Sequence, residues 1–170
     1  MIFVAAVVSV LAAAAIPQLT ATVDQVRAIS AARYIAARMA SARAQAVARS
    51  ANVAVVFTIA GGTMKLATYA DGNGNGVRTA DIGSGTDRLL TEPVDLGVLF
   101  PHVAVLLNDP ASPTTTTALM SFTPLGTASS GTVYLRGANG SRYAVRVLGA
   151  TGRTRVLRYH TPDDAWVEVL

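Results

Sequence analysis

Arginine residues are concentrated near the C-terminal end of this sequence. Residues 131–170 contain six arginines and only three acidic residues. Arg153 and Arg155 lie two positions apart and would share one face of a β-strand, and the glycine before them permits a tight turn. Because arginine binds phosphate in bidentate geometry, the pattern predicts salt-sensitive DNA binding, whereas the alternative is a solvated strand edge that resists aggregation. If the turn has this function, the candidate DNA-binding residues are Gly152, Arg153, Arg155, Arg158 and Arg142.

A second candidate for chemistry is the glycine-rich segment DGNGNGVRTADI, which begins at Asp71. Its acidic and amide residues fill the first, third and fifth positions of a calcium-binding loop, and a glycine fills the sixth. The twelfth position, which should hold a bidentate acid, is an isoleucine. Asx residues and glycines also form turns without any metal, so both interpretations stay open. The calcium candidates are Asp71, Asn73, Asn75 and Asp81, with Asp87 as a further ligand if the loop folds back.

No other group of residues has the spacing of a catalytic site. The chain has no cysteine, and His102 and His160 have no metal-ligand partner at helical spacing. The glycine-rich stretches lack the lysine of a phosphate-binding loop, and no serine lies in a nucleophile elbow. Charged residues make up only 14% of the chain, which is low for a freely soluble enzyme. We therefore expect a protein that is not an enzyme, with no small-molecule substrate and, apart from the calcium hypothesis, no cofactor.

The elements that would position these residues begin with an apolar N-terminal segment. Residues 1–16 contain one polar residue and, as a helix, would span roughly 24 Å, a little short of a membrane span of about 20 residues. A basic region typical of a signal peptide is missing, although AAAAIPQ resembles a cleavage site. The proline that follows predicts a kink in a longer helix. The residues chosen to mark this segment are Phe3, Val7, Leu11, Ile16 and Pro17, which are predicted to contact a membrane or partner helices.

The helix is predicted to continue to about residue 51, because residues 18–51 contain neither glycine nor a further proline and are rich in alanine and arginine. Two apolar stripes follow helical periodicity. The first comprises Leu19, Val23 and Val26, and the second comprises Ile35, Met39, Ala42 and Ala46. Nine residues separate the two stripes, which is half a revolution at about 3.6 residues per turn. We therefore expect the helix to bury one face early and the opposite face late.

Residues 52–170 show short alternating apolar runs separated by glycine-rich turns. The runs NVAVVFTI and TMKLATY flank AGG and predict a hairpin, and six further runs such as TVYLR and RYAVRVL are strand-like. The pattern predicts an antiparallel β domain of about seven to nine strands. The C-terminal half of the helix is expected to lie across the sheet and complete its core.

Two segments resemble one known family. VVSVLAAAAIPQL, followed by a long amphipathic helix, resembles the N-terminal helix of type IV pilins and type II secretion pseudopilins. FTPLGTASSGTVYLRGANGSRYAVRVLGATGRTRVLRY is similar to the C-terminal region of GspH/FimT-type minor pilins, in which two strands end in a Gly-Arg-x-Arg turn. That turn corresponds here to residues 152–155. Together the resemblance covers nearly the whole chain.

The resemblance implies an α+β, type IV pilin-like fold, in which a long N-terminal helix packs on an antiparallel β-sheet domain. It implies a transmembrane and filament-core part over residues 1–17, an amphipathic half over 18–51 and a periplasmic β domain over 52–170. The implied function is that of a structural subunit in type II secretion or type IV pilus assembly. Its implied partners are other pilins or pseudopilins, reached through the N-terminal helix of a subunit held in the bacterial inner membrane by a single pass.

Two alternatives remain open beside that function. The Gly-Arg-x-Arg turn of FimT-like minor pilins is implicated in DNA binding, so the resemblance also implies a DNA-binding minor pilin for natural transformation, with double-stranded DNA as its partner. The other alternative is an exported β-sheet domain with a cleaved signal. The family carries a basic leader, a cleavage-site glycine and a phenylalanine and glutamate that this sequence lacks. We expect these residues to precede Met1, and an unprocessed copy is the alternative.

Overall fold

A computed structural model describes residues 2–60, 63–106 and 119–169, with side chains described from Thr20 onward except at Ala60. The helix α1 spans Ile2–Arg49 and includes the position of the predicted kink. The side chains of the predicted membrane or filament residues, Phe3 to Pro17, lie outside the described set, so their role stays a prediction. Within the described residues, no helix is both long enough and apolar enough to cross a membrane.

Helix α1 ends at Arg49 because the next residue leaves the helical conformation. Ser50 adopts a left-handed conformation with φ 51°, and the Ala51 N–H donates to the Ala46 carbonyl at 3.3 Å. Such a left-handed residue commonly satisfies the last carbonyls of a helix and stops it. The first strand begins three residues later, so the chain reverses directly onto the β domain.

The two faces of α1 differ in burial. Residues on one face are buried against the β domain, and these are Ala28, Ala31, Ala32, Ile35, Met39, Ala42 and Ala46. On the opposite face, Val23 and Val26 keep 45% and 56% of their surface exposed. Burial of the second predicted stripe is therefore confirmed, whereas Val23 and Val26 of the first stripe lie on a face that the β domain does not cover.

The described residues contain nine strands in two antiparallel sheets, within the predicted range. The strands are β1 Val53–Ala60, β2 Thr63–Ala70, β3 Arg88–Asp95, β4 Val103–Leu106, β5 Leu119–Phe122, β6 Gly131–Gly137, β7 Arg142–Leu148, β8 Arg153–His160 and β9 Ala165–Glu168. The first sheet has the order β3-β2-β1-β5 and the second β4-β6-β7-β8-β9. Two short helices, α2 Thr79–Ser84 and α3 Leu96–Leu99, flank β3. A 3₁₀ turn, Thr161–Asp163, connects β8 to β9.

The hydrophobic core lies between α1 and the inner faces of both sheets. In the second sheet, Val133, Val145 and Val156 pair in register across β6, β7 and β8 and are buried against the helix. Because side chains alternate along a strand, the neighbouring residues of these strands point to the outer face. The predicted α+β fold, with a long helix packed on antiparallel sheets, is confirmed. The boundaries proposed for its functional parts stay a prediction.

Candidate functional site

The turn between β7 and β8 is held against the helix by Gly152. This residue has φ +61°, and its N–H donates to the Leu148 carbonyl at 2.8 Å. A Cβ atom on it would lie only 2.3 Å from the Gly126 carbonyl oxygen. The same oxygen accepts a hydrogen bond from Arg43 Nε at 2.9 Å. The glycine is therefore required by close packing between this turn, the loop at Gly126 and α1.

The outer face of the second sheet carries five arginines. On β8, Arg153 and Arg155 lie opposite Leu148 and Arg146 of β7, as the predicted shared face requires. On β7, Arg142 lies opposite Arg136 of β6. The register thus places three of the predicted arginines, Arg142, Arg153 and Arg155, on one face of the sheet. It adds Arg136 and Arg146, which are not among the predicted DNA-binding residues. We call this set the arginine face, and it comprises Arg136, Arg142, Arg146, Arg153 and Arg155.

One acidic residue pairs with part of the arginine face. Glu168 of β9 lies 3.1 Å from Arg155 Nη1 and 3.9 Å from Arg153 Nη2. All three side chains keep at least a third of their surface in solvent, so each contact contributes about 1 kcal/mol or less. Among the described residues, no carboxylate lies within 4.0 Å of Arg136, Arg142 or Arg146. The face therefore keeps a local excess of positive charge.

Aromatic side chains lie at the β9 end of this face. The Trp166 ring packs against Tyr134 and Tyr159 at centroid distances of 5.7 and 5.3 Å. The Arg142 guanidinium lies 3.6 Å from the centroid of the Tyr159 ring, a cation–π contact. The Tyr159 hydroxyl donates to Asp164, and this bond raises the pKa of Tyr159. These contacts fix the Arg142 guanidinium in place and leave the rings packed on one another.

Arg158 does not belong to the arginine face. It pairs with Tyr143, whose side chain lies in the core under α1, so the two faces of the sheet separate it from Arg155. Arg158 instead lines a small polar cleft of about 240 Å³ beside Gln25 of the helix and Asn139, and Arg142 and Tyr159 also line this cleft. Strand register therefore separates Arg158 from Arg153 and Arg155, whereas Arg142 and Arg158 line one cleft.

The proposed calcium loop is a turn closed by hydrogen bonds to Asp71. The carboxylate accepts the backbone N–H groups of Asn73, Gly74 and Gly76 at 2.7–3.1 Å, and the Asn52 amide at 3.0 Å. Partial burial raises the pKa of the Asp71 carboxyl, but the hydrogen bonds from Asn52 and from the backbone outweigh it, so the net pKa lies below its usual range. The turn is thus stabilised by an ionised aspartate.

The loop also folds back as the calcium hypothesis required. Asp87, which is 3% exposed, accepts the N–H groups of Gly72 and Arg78, and Asp81 lies 3.5 Å from the Asn73 amide. Within the described part of the chain, no group of three or more acidic, histidine or cysteine side chains could hold a metal ion. Calcium binding stays a prediction.

His102 lies in a turn, and His160 is the last residue of β8. His160 Nδ1 lies 2.8 Å from the Asp163 carboxylate at the exposed end of β8, and the two form an i,i+3 pair. His102 has φ +66° just before β4. Neither position brings a nucleophile and a base together in the described structure.

The uncovered face of α1 forms the last candidate surface. It continues from Val23 and Val26 through Ala37 and Ala44, which are all exposed. Beside it runs a groove of about 730 Å³ between the helix and the turn at Gly152. Alanine side chains allow a second helix to approach closely, so this face is shaped for packing against another helix.

A single long helix packed on two antiparallel sheets, with one helical face left uncovered, is a pilin-like fold. The sequence pattern of the type II transport protein GspH matches residues 31–152, and the chain belongs to this family. The minor pseudopilin EpsH from the type 2 secretion system of Vibrio cholerae has a similar fold, with a TM-score of 0.51 at 14% identity. The similarity covers 78% of this chain and 97% of that one. No curated protein matches the sequence.

Proposed function

We propose that this chain is a minor pseudopilin of a type II secretion system, which acts by assembling with other pseudopilins and carries out no catalytic step. Membership of the GspH family supports this function over pilus assembly and over DNA uptake. The observation that carries the proposal is the uncovered apolar face of α1, on which Val23 and Val26 are about half exposed. A helix buried on one side only is expected to pack its other apolar side against a partner.

The length of α1 suits this role. Its 48 residues span roughly 72 Å, and Asn139 of the β domain contacts the helix at the Ala21 carbonyl. About twenty residues therefore precede this contact, enough for a segment that packs among partner helices or lies in a membrane. Under the proposal, this segment holds the protein in the bacterial inner membrane and enters the pseudopilus. The β domain then faces the periplasm.

The exported domain with a cleaved signal and the DNA-binding subunit are less well supported. Cleavage near residue 15 would remove part of a helix that runs without interruption from Ile2 to Arg49. For DNA binding, Glu168 competes with phosphate for Arg153 and Arg155, and Arg158 lies on the other face of the sheet. The charge near the turn is therefore smaller than the sequence predicts.

The uncovered helical face can be tested with paired substitutions. Val23→Gln and Val26→Gln together keep a good helix former at each position but make the face polar. We expect secretion by the source bacterium and co-purification with other pseudopilins to fall by roughly tenfold or more. The reason is that burial of each valine side chain on assembly would contribute about 1 kcal/mol of hydrophobic free energy.

The matched control replaces two exposed apolar residues of the β domain, Val98→Gln and Leu125→Gln, which are 77% and 90% exposed. This variant should secrete and co-purify like the wild type. Both variants should retain the fluorescence of the single tryptophan. Normal secretion by the helix variant, with its valines replaced and its fold intact, would refute the proposed role of this face.

A further inference from the structure

We propose that the arginine face is a second docking surface, which binds a carboxylate-rich segment of a protein partner. The proposal goes beyond assembly through α1 and does not depend on it. It rests on the charge, the register and the packing of the outer face of the second sheet. The uncovered face of the helix plays no part in it.

The arginine face has fewer acidic neighbours among the described residues than are needed to balance its positive charges. Arg146 and Arg155 lie directly opposite each other on β7 and β8, and like charges in this position destabilise a sheet. Glu168 pairs with Arg155, but no described carboxylate pairs with Arg146. The Nε atoms of both arginines are buried without a hydrogen-bond partner among the described residues. The donors left to face solvent are therefore the terminal guanidinium nitrogens, which match a carboxylate in bidentate geometry.

The packing favours a protein over a single-stranded nucleic acid. Tyr134 is only 2% exposed and packs against Trp166, while Tyr159 is covered by the Arg142 guanidinium. Tyr134 and Tyr159 are therefore not available for stacking on bases, which is how single-stranded nucleic acids are bound. Leu148, at the margin of the face, is 47% exposed. Arginine is enriched at protein interfaces, and an exposed apolar side chain beside it adds surface that a protein partner can bury.

Glu168 argues further against a phosphate backbone. Its carboxylate lies between Arg153 and Arg155 and would repel a phosphate that approached either one. A protein segment can avoid this position by placing an uncharged residue there. Arg142 and Arg146 of β7, which have no carboxylate partner among the described residues, are four residues apart, or about 13 Å along the strand. Acidic residues four apart on an extended segment would therefore reach both.

The test uses the full chain in detergent and a defined probe. The probe is a fluorescein-labelled peptide of about twelve residues in which glutamate alternates with threonine, a residue that is enriched in strands. We expect saturable, salt-sensitive binding by fluorescence anisotropy. Arg136→Gln with Arg146→Gln should weaken binding by roughly tenfold, because both arginines lack an internal carboxylate partner among the described residues.

The control removes the same charge elsewhere. Arg33→Gln with Arg49→Gln replaces two exposed arginines of α1 and should change affinity by no more than about twofold. If the first variant does not fold, Arg136→Lys with Arg146→Lys keeps the charge but loses the bidentate geometry, and it should weaken binding by a smaller factor. The helix variant Val23→Gln with Val26→Gln should bind the peptide normally, which separates this proposal from the assembly function.

Three results would overturn the proposal. The first is no saturable binding of the peptide by the wild-type chain. The second is an equal loss of affinity in the β-domain and helix variants, which would show a response to net charge alone. The third is tighter binding, at the same salt, of a DNA duplex of equal charge or of anionic phospholipid vesicles. In that case the face recognises phosphate.

Discussion

Replacing Gly152 by alanine should destabilise this protein more than replacing a glycine in a turn where the added methyl group would meet no neighbouring atom. The Gly152 backbone is left-handed, which costs a residue with a side chain about 1–2 kcal/mol. In addition, the new Cβ atom would lie 2.3 Å from the Gly126 carbonyl oxygen and 2.9 Å from Arg43 Nε. Because a backbone atom limits the space, the turn or the loop at Gly126 must move.

The displacement of the turn or of the loop at Gly126 determines how much stability the Gly152→Ala variant loses. Displacing the Gly126 carbonyl weakens its hydrogen bond from the Arg43 guanidinium, and a bond to a charged group contributes about 1.5–3 kcal/mol. We therefore expect Gly152→Ala to lower the free energy of unfolding by about 3 kcal/mol. Gly140 is the matched control, because it has φ +82° and a Cβ atom there would have no described neighbour within 4 Å. Gly140→Ala should lose only about 1 kcal/mol.

Urea unfolding followed by the fluorescence of Trp166 measures the difference, because this single tryptophan packs in the second sheet. A gap of about 2 kcal/mol moves the midpoint by about 1 M urea for a protein of this size. Arg43→Met tests the mechanism, since it should cost less in the Gly152→Ala background than in the wild type. Equal losses for Gly152→Ala and Gly140→Ala would refute the close-packing argument.

Two further predictions use the same assay. Met39→Ala should lower the free energy of unfolding by about 2–5 kcal/mol because Met39 is fully buried, whereas Val26→Ala on the uncovered face should change it by less than about 0.5 kcal/mol. Similar losses at both positions would contradict the two-faced helix. The Asp71 carboxyl has a folded-state pKa below its ordinary value of 3.8, so its contribution is present above that pH and is lost as the pH falls through the folded pKa. Asp71→Asn should therefore destabilise the protein by about 1 kcal/mol at pH 7, and the difference from wild type should disappear in strong acid. A difference that persists there would show that the ionised carboxylate is not what holds the loop.

Much of the fold could be predicted because its main elements carry their own local signals. An uninterrupted, alanine-rich segment with helical periodicity predicted α1, and alternating apolar runs predicted eight of the nine described strands. The strand β3 was missed because RLLTEPVD has no apolar alternation and contains Pro93. It lies at the edge of the first sheet, where a proline is tolerated. The helices α2 and α3 are too short to form without tertiary contacts, so no local sequence pattern predicted them.

The arginine face was predicted only in part, because it depends on strand register. Alternation alone placed Arg153 and Arg155 on one face, and the pairing confirms this. The same alternation places Arg158 on the opposite face, because it lies an odd number of residues from Arg155. Its exclusion from the arginine face could therefore have been predicted from the sequence. The contribution of Arg136 and Arg146 required knowledge of how β6, β7 and β8 pair. Register comes from the whole core and cannot be taken from one strand.

The second sheet fixes the position of the arginine face relative to the uncovered face of α1. Its inner face packs on α1, and its outer face carries the arginines. Two hydrogen bonds tie the β domain to the helix near both ends of this contact, from Asn139 to the Ala21 carbonyl and from Arg43 to the Gly126 carbonyl. The two helical positions are 22 residues apart, or about 33 Å. Contacts this far apart along the axis resist tilting of the sheet relative to the helix, so the way α1 packs in an assembly would determine the direction in which the arginine face points.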